Sequence, residues 1–393
     1  MRVLMLTQVL PYPPVSGPQI KTYYTLRYLS RRHRITLVSF LRRVEEEAYI
    51  QALRPYCEAV HTVRLRRSRE RDLMALMRAV YSGEPFLIAR DHAPAFYRLI
   101  ERLHRKDPFD AVHADQLNMA PYALSLPIRR VLDAHNAVWR IPARLAETAR
   151  WRLIRWFARW EARRLKAYEG AICRAFDTVL VVSAADREAL EEAAGGPFHA
   201  VEMPIAIDPG EFPPIPREPG SKGLLHIGGL YWPPNAEGIR WFLREVWPRL
   251  CAVEPDVRLF VVGARPPADL QRWAARDPRI HLLGFVADPT PYWRQSAALI
   301  VPLRAGSGIR VKILEAWSRG IPVVSTSIGC EGLAARPGEN LLVADDGPAF
   351  AEALLGLLRD PARADRIGRA GQETVRTLYD YRTACRPLDG VYP

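Results

Sequence analysis

Two hydrophobic patterns alternate along the 393 residues. Arg2–Thr7 (RVLMLT), Ile35–Phe40 (ITLVSF), the run opening at Asp110–His113, Arg130–Asp133 (RVLD) and Asp177–Ser183 (DTVLVVS) are short and largely apolar. Such runs predict strands buried on both faces. Between them, apolar residues recur at helical spacing, first over Pro18–Arg31 with Ile20, Tyr23, Tyr24, Leu26 and Leu29. The alternation restarts at Gly223–Ile227 (GLLHI), followed by a helix over Ala236–Leu250 whose core face is Trp241, Phe242, Val246 and Leu250. Strands at Val257–Gly263 and Leu299–Leu303 follow, with the run His281–Val286 (HLLGFV) before Asp288 between them, then a helix over Ile309–Arg319 stopped by Gly320, and a strand at Ile321–Thr326. Helices over Pro348–Leu358 and Arg363–Arg376 complete the pattern. Strand–helix–strand repetition predicts parallel sheets, and open parallel sheets hold ligands at their carboxyl edges. The stretch Pro204–Gly223 has six prolines and three glycines and predicts a break between two α/β domains. The expected division is residues 1–205, a linker at 206–222, a second domain at 223–377 and a C-terminal segment at 378–393.

Composition narrows the function class. Five scattered cysteines with no C-x-x-C pair argue against a disulfide framework or a zinc site and for a reducing, cytoplasmic compartment. No apolar run reaches the length of a membrane span, and the opening MRVLMLTQVLPYPP reads as a first strand rather than a leader. A net charge of +13 with a pI near 9.8 points to an anionic partner. The basic run Arg64–Arg71 (RLRRSRER) reads as a solvated loop, with an anion site as the alternative. Val138–Arg174 reads as one long helical stretch in which Trp139, Trp151, Trp156 and Trp160 lie among many arginines. That pairing suits peripheral contact with an anionic membrane, or equally tryptophans packed inward beneath solvated arginines.

Candidate chemistry gathers at strand ends. Ala305–Gly308 is a small-residue loop between a strand and a helix, and a helix start offers free N–H groups to a phosphate. Arg310 adds charge in the first turn, and Lys312 and Glu315, three apart, share a face. Gly228 and Gly229 after a strand would let a diphosphate approach the backbone, and Arg265 after the next strand is a second phosphate candidate. In the first half, Gly17 precedes a helix, His113 lies in a strand, and Asp133-Ala134-His135-Asn136 stands at a strand's carboxyl end.

The stretch Gly306-Ser307-Gly308-Ile309-Arg310-Val311-Lys312-Ile313-Leu314-Glu315-Ala316, then Gly320 to Thr326 (GIPVVST), then Gly329-Cys330-Glu331-Gly332, resembles the donor-site signature of retaining glycosyltransferases of family four. The resemblance extends over most of the chain and implies the GT-B fold: two Rossmann-like domains with parallel sheets facing a cleft. It implies that Arg310 or Lys312 holds the diphosphate of a nucleotide-sugar and Glu315 its ribose hydroxyls. It implies that Gly284, Phe285 and Val286 cover the base through main-chain contacts, and that His135 lies beside the donor sugar as a catalytic group. Gly228, Gly229, Arg265, Gly306, Ser307, Gly308 and Ile309 complete the expected donor site. Gly17, His113 and Asn136 are the acceptor-side candidates. Two positions depart from the family: Ser307 stands where it has the first of two glutamates, and Pro18 where it has a second glycine. No D-x-D motif, which the GT-A enzymes use to hold a metal, is present, so neither metal nor cofactor is expected.

The expected reaction moves a sugar, with retention, to a hydroxyl of a glycan, glycolipid or lipid-linked acceptor, as in bacterial surface polysaccharide assembly. Two other readings compete. A sugar-nucleotide 2-epimerase would share the fold but need no acceptor surface. A basic nucleic-acid binder would explain the charge but not the ordered glycine, Arg-x-Lys and Glu pattern.

Overall fold

A computed structural model describes residues 1–148, 151–306 and 308–393. The chain forms two compact units: Met1–Ala206 with Ala384–Pro393, and Ile207–Thr383. The C-terminal residues therefore belong with the first unit from Ala384 onward. The proline-rich stretch after Ala206 belongs with the second, where the Ile207, Ile215 and Glu218 amides donate to the carbonyls of Tyr379, Arg319 and Arg294.

The first unit is built on seven strands: β1 Arg2–Thr7, β2 Arg34–Leu41, β3 Ala59–Arg64, β4 Ala111–Asp115, β5 Arg129–Ala134, β6 Thr178–Val181 and β7 Ala200–Glu202. All pair in parallel, in the order β3-β2-β1-β4-β5-β6-β7. The order reverses between β1 and β4, where an open α/β sheet leaves a crevice. Helices cover the sheet. Phe40, Phe96 and Tyr122 meet in the core with centroids 4.5–6.0 Å apart; burying each such side chain contributes about 1.5–3 kcal/mol.

Two expectations for this unit change. The basic run is not a solvated loop: Arg64 ends β3, Leu65 is buried, and Arg69 opens a helix, Arg69–Ser82, capped by the Ser68 hydroxyl. The sequence disguises β3 because its residues are only half-buried and punctuated by His61 and Thr62. The long tryptophan-rich stretch comprises two helices, Arg140–Thr148 and Arg152–Ala175.

The second unit has six strands: β8 Gly223–Ile227, β9 Arg258–Val262, β10 Ile280–Gly284, β11 Ser296–Val301, β12 Val323–Ser325 and β13 Leu342–Val343. They too are parallel, in the order β10-β9-β8-β11-β12-β13, with the reversal between β8 and β11. The expected helix after β8 runs from Pro233 to Val253 with a π turn at Phe242–Val246. Pro248 supplies the reason, since its missing N–H interrupts the helical ladder.

Candidate functional site

The switch point of the second sheet collects the candidate residues read from the sequence. Gly228 follows β8, Arg265 follows β9, Gly284 ends β10, and the loop after β11 leads through Gly306 and Gly308 into the helix Val311–Ser318. Gly306 and Gly308 have φ of 126° and 82°, conformations a side chain resists. Ser307 lies outside the described residues. Arg310 is the residue before the helix rather than within its first turn. It is 6% exposed, donates Nη1 to the Gly308 carbonyl and lies 5.9 Å from the Trp232 ring. Ile309 is half-buried and packs toward Gly332.

Lys312 points back over β8. Its Nζ donates to Asn235 Oδ1 at 3.2 Å, while Asn235 Nδ2 donates to the Gly229 carbonyl at 3.0 Å. Asn235 thus ties the lysine to the glycine turn. Burial, then Arg310, lowers the Lys312 pKa to about 7, against the pull of Glu315. Burial raises Glu315 to about 6, against the pull of Arg319 and Lys312. Beneath Lys312, His226 is wholly enclosed on β8, with Nδ1 3.3 Å from the Ile300 carbonyl. Burial, then Lys312, holds it neutral well below the usual histidine range. Two partly desolvated charges on one face, beside a helix start and a glycine turn, make a pocket suited to a diphosphate and a hydroxyl-bearing ring.

The glycine at 228 is demanded by this geometry. A Cβ there would lie 2.6 Å from Lys312 Nζ and 2.7 Å from Asn235 Nδ2. Both are ends of flexible side chains, so Gly228→Ala is expected to leave the melting temperature within a few degrees yet weaken nucleotide binding by roughly tenfold. Calorimetric titration beside a thermal melt checks this; unchanged affinity would show that the lysine does not need this placement.

The remaining candidates of this unit sit at the same edge. Arg265 is exposed, at φ 57°, with its guanidinium 5.8 Å from the Tyr231 ring. Gly284, at φ 68°, accepts from the Gly263 amide at 2.8 Å and aims the chain so that Phe285 is 81% exposed, with Val286 half-buried beyond it.

At the carboxyl edge of the first sheet, His135 Nε2 donates to Asp115 Oδ1 at 2.9 Å, and the Thr22 hydroxyl donates to the same oxygen at 2.8 Å. Burial pushes the Asp115 carboxyl up, but His135 and Thr22 more than offset it, and the group titrates below its usual range. Asn136 is half-buried beside His135. Gly17 opens the helix Gly17–Leu29, where an added Cβ would meet only Ile205 at 4.0 Å. His113 is fully buried, with Nδ1 2.8 Å from the Tyr392 hydroxyl and Nε2 3.7 Å from Asp133, so it supports the edge from below. Central β4, covered on both faces, leaves no other outcome for an inward side chain.

Sequence reasoning missed Lys21, whose ammonium pairs with Asp133 while 1% exposed. Its signal was a cation between Ile20 and Tyr24 on the apolar side of a helix. It also missed His226, which a strand of apolar neighbours conceals. Among the described residues, His113, Asp115 and Asp133 are close enough together to ligate a metal. Lys21 and His135 already engage these carboxylates.

The chain is similar to known proteins in sequence and in fold. Residues 221–360 match the family model described as glycosyl transferases group 1. An uncharacterised 44.6 kDa protein in the cps region of Klebsiella pneumoniae is 23% identical over 96% of each chain. The phosphatidyl-myo-inositol mannosyltransferase of Mycobacterium leprae is 28% identical over 49% of this chain and 53% of its own. Among solved structures, Anabaena HepE in complex with UDP superposes with a TM-score of 0.70 at 14% identity, covering 100% of this chain and 99% of that one. WaaG, a glycosyltransferase involved in lipopolysaccharide biosynthesis, does so with a TM-score of 0.65 at 14% identity over the whole of both chains.

Proposed function

We propose that the chain, whose residues 221–360 match the glycosyl transferases group 1 model and whose two Rossmann-like units have the GT-B fold, transfers a sugar from a nucleotide-sugar to an acceptor hydroxyl with retention of configuration. The observation that carries this is Lys312, tied through Asn235 to the Gly228–Gly229 turn, with Glu315 three residues further along the same helix. Lys312, Arg310 and the N–H groups opening the helix Val311–Ser318 would take the diphosphate, the group on which negative charge grows as the sugar departs. Glu315, ionised, would accept from the ribose hydroxyls. In the first unit, His135, oriented by Asp115, is the catalytic candidate. Among the described residues no nucleophile is evident, so attack on the face the diphosphate leaves, with that diphosphate as base, accounts for retention. The step is written without a metal because two cations and a helix start supply the positive charge. A place in surface-polysaccharide assembly is the accompanying reading, supported by the Klebsiella relative in a cps region.

The test is a thermal-shift and calorimetry panel of UDP-, GDP-, ADP- and dTDP-sugars. One selective binder is expected, and its product anomer, read by NMR with lipid-linked sugars as acceptors, should match the donor's configuration. Binding by none of the four, with tight salt-sensitive binding of nucleic acid instead, would overturn the reading.

We further propose that the first unit rests on an anionic membrane. No helix of the described residues is long and apolar enough to cross one. However, Leu73, Met74, Met77, Val80 and Tyr81 stand exposed along one face of the helix Arg69–Ser82. The neighbouring helix Arg152–Ala175, joined to it by Arg164 Nη1 donating to the Ala79 carbonyl, exposes Leu153, Trp156 and Phe157, just after Trp151. Trp139 and Trp160 instead pack under Lys166 and Arg164 at 4.6 and 4.1 Å, so half of the tryptophan stripe faces out. Apolar side chains beside arginines suit the headgroup layer. Vesicles containing phosphatidylglycerol should sediment the protein and neutral vesicles should not. Met77→Glu with Trp156→Glu should abolish sedimentation without lowering the melting temperature.

A further inference from the structure

The arginines around the basic run form a structure that the reaction as described leaves unused. Arg42 follows β2, Arg67 follows β3, Gln8 follows β1 and Asn118 lies beyond β4, so four strand ends on either side of the switch point contribute. All four side chains converge on Asp91, which is 2% exposed. Asp91 Oδ1 takes Arg42 Nη2 at 3.0 Å and faces Arg67 Nη2 at 3.7 Å. Asp91 Oδ2 takes Gln8 Nε2 at 2.5 Å and Asn118 Nδ2 at 2.9 Å. Arg90 stands beside them, held by Asp72 at 2.8 Å.

The charges do not balance. Three guanidiniums, Arg42, Arg67 and Arg90, face two carboxylates, Asp91 and Asp72. Burial and the repulsion of Arg42 and Arg90 depress the Arg67 pKa. Arg42 Nη1 is buried with no hydrogen-bond partner among the described residues, a costly state for a charged donor. Arg67 is 45% exposed and can reach a ligand. Asp91 therefore grips the guanidiniums from one side and leaves donors on the other, at the carboxyl edge where an open parallel sheet takes its ligand.

We propose that Arg42 and Arg67, oriented by Asp91, form an oxyanion pocket in the first unit that takes a phosphate or diphosphate group of the acceptor. This rests on the transferase reading, in which the first unit receives the acceptor. Planar guanidiniums pair bidentately with phosphate oxygens. The surplus of one positive charge calls for an anion, and the donors that two guanidiniums present are engaged more fully by the several oxygens of a phosphate than by the two of a carboxylate. The acceptor class that follows is a phosphorylated or diphosphate-linked glycan rather than a neutral one.

The experiment is calorimetric titration of the full chain with inorganic pyrophosphate, with glucuronate in parallel. Wild type should show two pyrophosphate sites. Lys312→Ala should keep one of them, and Arg67→Ala in the Lys312→Ala background should weaken that one at least tenfold. Arg67→Ala is the variant of choice because Asp91 keeps its other three donors, and a thermal melt within a few degrees of wild type verifies folding. A single site, lost with Lys312, would overturn the acceptor pocket and leave the donor reading intact. A single site lost with Arg67 alone would sustain the pocket and sink the donor reading. Glucuronate binding more tightly than pyrophosphate at the Arg67 site would overturn the phosphate class.

Discussion

Lys312→Ala is expected to weaken nucleotide-sugar binding by roughly 10- to 100-fold, the loss of a charge-assisted contact to a diphosphate, and to remove most of its dependence on pH above neutrality. In the unliganded protein Lys312 titrates at about 7 and Glu315 at about 6. A diphosphate needs the lysine protonated, and ribose hydroxyls need the glutamate ionised. Affinity should therefore be greatest between about pH 6 and 7 and fall on both sides. At pH 8 the free protein holds Lys312 mostly neutral, so binding must take up close to one proton. Calorimetry in two buffers of different ionisation enthalpy measures that uptake, and uptake near zero at pH 8 would refute the assignment. Glu315→Gln should remove the acidic limb alone.

The same two groups leave a mark on the stability of the unliganded fold, with the signs reversed. The folded Lys312 pKa lies below its ordinary 10.5, so the unfolded chain holds more protons between about pH 7 and 10.5 and stability rises with pH there. The folded Glu315 pKa lies above its ordinary 4.5, so its contribution falls as pH rises from 4.5 to about 6. A site whose own charges oppose folding is one that a ligand completes.

The second large effect is on stability. Lys21→Met should destabilise the first unit by about 3–5 kcal/mol, because it leaves Asp133 charged and buried without its partner. For a unit of this size that is a fall in melting temperature on the order of 10 °C. The Lys21 side chain is 1% exposed and that of Asp133 not at all, and the second Asp133 oxygen has no hydrogen-bond partner among the described residues. The double variant Lys21→Met with Asp133→Leu should recover much of the loss, since a matched apolar pair avoids the desolvation of both charges. An unchanged melting temperature in Lys21→Met would show that the ion pair carries no stability.

Much was legible before any coordinates. Runs such as RVLMLT and GLLHI can only be buried strands, and the periodic segments between them can only cover a parallel sheet. The glycine loop, Lys312 and Glu315 were legible because their order along one loop and one helix is local. Gly320 likewise ends its helix at φ 73°, as its place in the sequence suggests. By itself, then, the sequence determined the two α/β units, the strand ends that gather the candidate residues and the placing of Lys312 and Glu315 on one helix face. Only the tertiary structure decided what those side chains meet. Asn235 reaches Lys312 across 77 residues, Lys21 reaches Asp133 across 112, and Tyr392 reaches His113 across 279. It also placed Arg42, Arg67, Gln8 and Asn118 on one aspartate and removed His113 from the surface. The physical reason is that hydrophobic periodicity records which face of an element is covered, whereas a polar pairing depends on which strands the chain folds side by side, and that order is not written in any local pattern.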